Sequence, residues 1–242
     1  MPGTMLEELQ ARARELWKDK GLLGERVDVA ARVLTADEAL GDPEGDDFPL
    51  QKGRERMMEA AVLGARGHAF SDRFGDFAGT LAQIADMDLA NNYRRAVFVA
   101  AFNASMRALG LCDRTVHCRD AGPGECAGEL RAHLRQRYGD ARVTQVGFQP
   151  KFVAALAADR PLRVLDLDPD NIGHTLHGAL IEGPEHRDDA IAWADVLLVT
   201  GSALVNGSMD AFAAGKPLVV FGVSGAGAAA LMGWERFCVR ST

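Results

Sequence analysis

Apolar residues at Leu6, Leu9, Ala13 and Leu16 recur at the three-and-four spacing of one helical stripe, so the chain opens with a covering helix over Leu6–Trp17. Val27–Leu34 reads as strand-like, and Gly41–Pro49 reads as a loop from its Gly, Pro and Asp content. Helices are expected over residues 52–65, Phe77–Met87 and Asn91–Leu109. The last is apolar almost all round and closed by Gly110, which marks it as central to its domain. An extended segment, Arg114–Arg119, leads through the loop Asp120–Glu125 to a helix over Cys126–Tyr138. Beyond residue 140 the rhythm changes. Short apolar runs at Val143–Phe148, Leu162–Leu167, Val196–Thr200 and Leu218–Val223 alternate with helical stretches near 150–158, 186–194 and 205–214. That alternation is the signature of a parallel sheet with helices on both faces. The pattern therefore predicts an α+β domain over residues 1–140 and an α/β domain with a parallel sheet over residues 141–242.

In such a sheet the strand ending near Val146 and the strand ending at Thr200 are neighbours across the point where strand order reverses. The loops Gly147-Phe-Gln149 and Thr200-Gly201-Ser202 would then flank one crevice. A second small-residue corner, Gly222-Val-Ser224-Gly225, should open on the same edge. Glycines there permit close backbone approach, and Thr200, Ser202, Asn206 and Ser208 surround a helix start whose amides suit an anion. The plainer alternative is that Gly and Ser only make tight strand-to-helix turns. Neither corner carries Gly-x-Gly-x-x-Gly or a Gly-Lys-Ser/Thr loop, so dinucleotide and ATP binding are not signalled.

Composition narrows the classes further. With 242 residues and 48% hydrophobic content the chain has ample core. Its 27 basic and 34 acidic residues give a net charge of −7, with no basic run interleaved with aromatics, which argues against a nucleic-acid partner. The longest apolar runs are too short for a bilayer and the amphipathic start is not a signal peptide, so a cytoplasmic protein without membrane contact is expected. Four cysteines in a chain of this length point to reduced thiols rather than a disulfide framework.

Two further groupings can carry chemistry. Asp166, Asp168 and Asp170 lie within five residues after a predicted strand, where carboxylates can hold a ribose hydroxyl, a hard cation or an amine; Pro169 and Asn171 also make this a good turn. His117, Cys118 and Cys126 bring an imidazole and two thiols within ten positions, a ligand set for soft metals. The spacing is not that of a structural zinc motif, and on residue chemistry alone small core thiols with a satisfied histidine are the stronger reading. Cys112 and Cys238 read as packed. Asn103-Ala-Ser105 matches a glycosylation acceptor that would be idle in a cytoplasmic protein.

Gly147-Phe-Gln-Pro, Asp166-Leu-Asp-Pro-Asp-Asn-Ile-Gly, Val199-Thr-Gly-Ser-Ala-Leu-Val-Asn-Gly-Ser and Gly222-Val-Ser-Gly-Ala-Gly together resemble the putative heavy-metal chelation family. Gly67-His-Ala-Phe-Ser-Asp, Ala101-Phe-Asn-Ala and Thr115-Val-His-Cys-Arg-Asp resemble the region that precedes it in such proteins. The resemblance implies a Rossmann-like second domain behind a smaller domain similar to the enolase N-terminal fold, with a site in the cleft between them. It implies ligand-binding roles for Gly147, Gln149, Asp166, Asp168, Thr200, Ser202, Asn206, Gly222 and Ser224, to which the close backbone approach at the two corners adds Gly201 and Gly225. It also implies a transition metal (zinc, nickel, cobalt or iron) near His117 and Cys118. Ala203 and Ser208 stand where threonines are expected. The alternative is a transferase or lyase working on a small metabolite or nucleotide-like cofactor, with Asp166 or Asp168 on ribose and Cys118 as acid, base or nucleophile. In either case the partner is a small molecule or metal, and the apolar helices of the first half can pair two chains as a homodimer.

Overall fold

The computed structural model describes residues 4–31, 55–118, 122–213 and 215–242. Thr4 and Glu7 close a reciprocal capping box that starts α1 (Met5–Asp19), and the predicted stripe is buried through Leu6, Leu9, Ala13 and Trp17. β1 (Arg26–Ala30) is the inner strand of an antiparallel sheet. Its partners are β2 (Arg56–Val62), which pairs onward with β3 (Ala65–Ser71), and β4 (Phe77–Thr80), giving the order β3-β2-β1-β4. The helix expected over 52–65 is therefore a hairpin from Arg56 onward, turned at Leu63-Gly64, both at positive φ; residues 52–54 and the loop 41–49 lie outside the described residues. Met58, Ala60 and Val62 face the core, so burial against a helix overrides the helical preference of Met, Glu and Ala. The helix expected from Phe77 likewise begins as strand and continues only as α2 (Leu81–Ala85), capped by Thr80.

α3 (Asn92–Ala108) explains its own composition. One face packs on β2 and β3, the other on the helices at Ser202–Val205 and Ala226–Met232 and the turn at Val223–Gly225, so both sides are covered and residues 96–106 are all buried. Phe98 and Phe102 stack with centroids 5.8 Å apart, and Trp17 meets both edge-on while donating to Ser105 Oγ at 2.8 Å. Each such ring contributes about 1.5–3 kcal/mol by burial. One apolar core consequently runs from α1 through α3 to Val146, Leu197, Val199 and Ala203.

The second sheet contains β5 (Val143–Val146), β6 (Leu162–Leu165), β7 (Thr175–Leu176), β8 (Ala179–Glu182), β9 (Val196–Thr200), β10 (Leu218–Phe221) and β11 (Glu235–Phe237), in the order β11-β10-β9-β5-β6-β8-β7. All its pairings are parallel except β7 with β8. The chain is thus a mixed α/β protein, as the alternation predicts. β5 and β9 are direct neighbours, with Val146 opposite Val199. Helix α4 (Gly122–Tyr138), which the sequence reading places in the first half, packs with α5 (Pro150–Ala157) in a second core that includes Leu130, Leu134, Val143, Phe152 and Leu198. α6 (Arg187–Trp193) follows β8. The helix expected over 205–214 is instead a short α7 (Ser202–Val205) and a 3₁₀ turn at Met209–Ala211, interrupted by Gly207 at φ +72° beneath the Arg95 guanidinium. α8 (Ala226–Met232) completes the fold. None of the helices, among the described residues, is long and apolar enough to cross a membrane.

Candidate functional site

The C-terminal ends of β5, β6, β9 and β10 open on a cavity of about 690 Å³ whose opposite wall comes from β3, the start of α3 and the segment His117–Cys118. Gly147, Gln149, Asp166, Asp168, Thr200, Gly201, Ser202, Asn206, Gly222 and Ser224 line it, as do His117 and Cys118. Gly225 does not. It lies behind Gly201, so close that a side chain on Gly201 would strike its backbone nitrogen. The two small-residue corners therefore touch, and this contact requires glycine at 201.

Four of the backbone amides at the β5 and β9 corners are already engaged. Gly147 N donates to Leu165 O and Gly201 N to Phe221 O, both at 2.8 Å, while Ser202 N reaches Thr200 Oγ1 at 3.3 Å. Phe148 N donates to Asp166 Oδ2 at 2.6 Å. The other Asp166 oxygen accepts from Asp168 N at 2.7 Å and from Asn171 Nδ2 at 3.3 Å. Asp166 is thus a staple between the β5 and β6 corners, its lone pairs directed at protein donors rather than at a ribose. Gln149 caps α5 through Phe152 N at 2.7 Å, with Pro150 at the first helical position.

The facing wall is tied across by buried polar groups. Asn103, fully buried on α3, donates through Nδ2 to His68 O (2.9 Å) and Val223 O (3.0 Å), and accepts from Gly227 N at 2.7 Å. Ser224 Oγ accepts from Phe70 N at 3.1 Å. His68 is buried, its Nδ1 accepting from His117 N at 3.1 Å, which leaves the proton on Nε2 to donate to Glu59 at 2.9 Å. His68 therefore does not face the crevice. It holds the backbone of His117, whose ring meets Phe70 edge-on at 5.2 Å.

Three thiols, Cys118, Cys126 and Cys238, also line the cavity, and all four cysteines are free. Burial, reinforced by the neighbouring thiols, pushes Cys118 up to about 12. Burial and Cys238 push Cys126 up to about 11, against the lowering effect of the Val239 and Arg240 backbone amides. Cys126, read from the sequence as the start of a helix, lies a turn inside α4, and its thiol is held protonated. Glu55, absent from the sequence candidates, sits at the other end. Burial first, then repulsion from Asp166, Asp72 and Asp168, raises its carboxyl to about 7. No local signal marks it, because it belongs to an ordinary charged run and gains its environment only when β2 is placed.

With this geometry the chain can be set beside known proteins. Residues 131–231 match DUF364, described as "Putative heavy-metal chelation". Two solved DUF364 proteins of unknown function share the fold. One, from Pyrococcus horikoshii, superposes with a TM-score of 0.53 at 15% identity, over 92% of this chain and 80% of that one. The other, from Desulfitobacterium hafniense DCB-2, gives a TM-score of 0.51 at 12% identity, over 73% and 72% of the two chains. No curated protein matches the chain. The DUF364 description raises the question of a metal. Among the described residues, no group of three or more His, Cys, Asp or Glu side chains could hold a metal ion. His117 and Cys118 supply two donors, fewer than the three or four protein ligands a resident metal needs, so the residues as placed do not fit a resident bare metal.

Proposed function

We propose that the protein binds a small organic ligand in the cavity beneath β5, β6, β9 and β10. The observation that carries this reading is the cavity itself. Its volume of about 690 Å³ suits a drug-sized molecule, and both halves of the chain contribute to its walls. Where heavy-metal handling enters, the metal is cargo that arrives wrapped by a chelator, with His117 and Cys118 as the nearest donors. Metal analysis and thermal shift test this together. Protein purified without a histidine tag should retain less than stoichiometric zinc, nickel, cobalt or iron, and should be stabilised more by metal–chelator complexes than by the free metals. Stoichiometric metal that survives dialysis and is lost in Cys118→Ser would reverse the assignment.

One observation favours a second reading, an enzyme acting on a small metabolite in the same cavity. A carboxyl poised at about 7 in a partly buried pocket is a candidate general acid or base, and Glu55 meets that description. Cys118 is the poorer candidate because its thiol stays protonated. Turnover of a ligand found by thermal shift, lost in Glu55→Gln while binding persists, would decide for catalysis.

A further inference from the structure

Three of the four thiols converge on one stretch of the cavity wall, and two of them are brought together by the chain itself. Cys126 lies on α4, and its Sγ accepts from the backbone amides of Val239 and Arg240, the two residues that follow Cys238. Phe237 and Val239, on either side of Cys238, pack in the same core cluster as Cys126. The turn at 239–240 is pinned in place. Ser241 donates to Cys238 O at 2.8 Å, and Val116 and Thr242 exchange a reciprocal pair of backbone hydrogen bonds at 2.8 and 3.0 Å. That ladder also brings the segment carrying Cys118 alongside. Cys126 is buried and Cys238 half-buried, and both line the cavity with Cys118, whereas Cys112 packs on the other core.

We propose that Cys126 and Cys238 form a redox-closed latch, a disulfide that ties α4 to the segment after β11 and takes two thiols out of the cavity wall. The oxidant is a low-molecular-weight disulfide such as oxidised glutathione. Cys238, the more exposed of the pair, attacks one glutathione sulfur as its thiolate; a mixed disulfide forms, and the released glutathione thiolate takes up the proton that Cys238 lost. The Cys126 thiolate then attacks the Cys238 sulfur and breaks the mixed bond, and the second glutathione leaves with the proton of Cys126. Two protein thiols are thereby oxidised by two electrons, and one glutathione disulfide is reduced to two thiols. A thiol held protonated, as Cys126 is, makes a slow nucleophile and a poor leaving group, so the bond should form slowly and be reduced slowly. The latch does not depend on the small-ligand reading and its test uses no ligand, so either can fail without the other.

For the test, the folded full chain is incubated overnight with excess oxidised glutathione at mildly alkaline pH. Remaining thiols are capped in denaturant, and peptides are mapped by mass spectrometry without reduction. The expected result is a Cys126–Cys238 cross-linked peptide and a fall in free thiols from four to two. The urea midpoint should rise above that of the reduced protein, because the cross-link closes a long loop. Cys126→Ala should stop at a glutathione adduct on Cys238, and Cys118→Ala should leave the cross-link intact; circular dichroism checks that each variant is folded. The wild-type peptide map decides the pairing even where Cys126→Ala does not fold. Glutathione adducts without a cross-link in the wild-type chain overturn the latch, as does a Cys118–Cys238 cross-link in place of the expected one. Four thiols left free in the folded chain, while the urea-unfolded chain oxidises under the same conditions, overturn it as well.

Discussion

Gly147 and Thr200 lock the two central strand ends together. A methyl group on Gly147 would stand 2.5 Å from Thr200 Cγ2, and the glycine holds φ at +88°, a conformation costly for any other residue. Gly147→Ala should therefore destabilise the fold by about 2–4 kcal/mol, combining strain with overpacking. Urea unfolding checks the magnitude. Trimming the opposing methyl group in the double variant with Thr200→Ser should recover part of the loss, whereas no recovery would assign the whole effect to φ.

Asn103 should be among the most sensitive polar positions. Asn103→Leu keeps the volume but strands His68 O, Val223 O and Gly227 N, three buried groups from two parts of the chain. A loss of about 3 kcal/mol or more is expected, because each orphaned group carries its own desolvation cost. A denaturation midpoint close to wild type would mean that water replaces the amide.

Glu55 gives the fold a pH dependence of defined sign. Its carboxyl is near 7 when folded against an ordinary 4.5, so between those values the folded chain holds a proton that the unfolded chain has released. Stability should fall as pH rises through that window, by up to about 3 kcal/mol. Asp166, Asp72 and Asp168 are the charged groups that hold Glu55 up. Glu55→Gln should match wild type below pH 4.5 and exceed it in urea midpoint above pH 7. Identical pH profiles for the two proteins would show that Glu55 is well solvated.

The cavity thiols should be sluggish. With Cys118 near 12 and Cys126 near 11, alkylation by iodoacetamide at neutral pH should run on the order of a hundredfold slower than for free cysteine. A time course followed by peptide mass spectrometry measures each site. Rapid labelling of Cys118 would revive it as a nucleophile.

What the sequence disclosed and what it concealed divide along physical lines. The strands after residue 140 are buried on both faces and read as apolar runs, so β5, β6, β9 and β10 and the adjacency of β5 with β9 were legible from pattern alone. Glycines at 147 and 201 stood out at their ends, and the structure shows that a side chain there would strike Thr200 or Gly225. The 56–71 hairpin was hidden because Arg, Met, Glu and Ala in β2 carry helical propensity, and only its contact with α3 selects the strand. β7 and β8 were missed because they are short and lie at the sheet edge, turned by His177 and Gly178 at positive φ. The engagement of the corner amides was illegible for a different reason. Free amides were inferred from corner geometry, and nothing local says that Asp166 turns back to occupy Phe148 N.

The placement of α3 between the antiparallel sheet and helices α7 and α8 also bears on how a molecule gets in and out. A helix clasped on both flanks by one unbroken apolar mass acts as a rivet, not a hinge, and parting the two halves would open the buried cluster that Phe98 and Phe102 share with Val146, Leu197 and Ala203. Traffic into the chamber must then depend on rearrangement of side chains and short loops at its mouth, and evolution can retune what is admitted there without redesigning the frame.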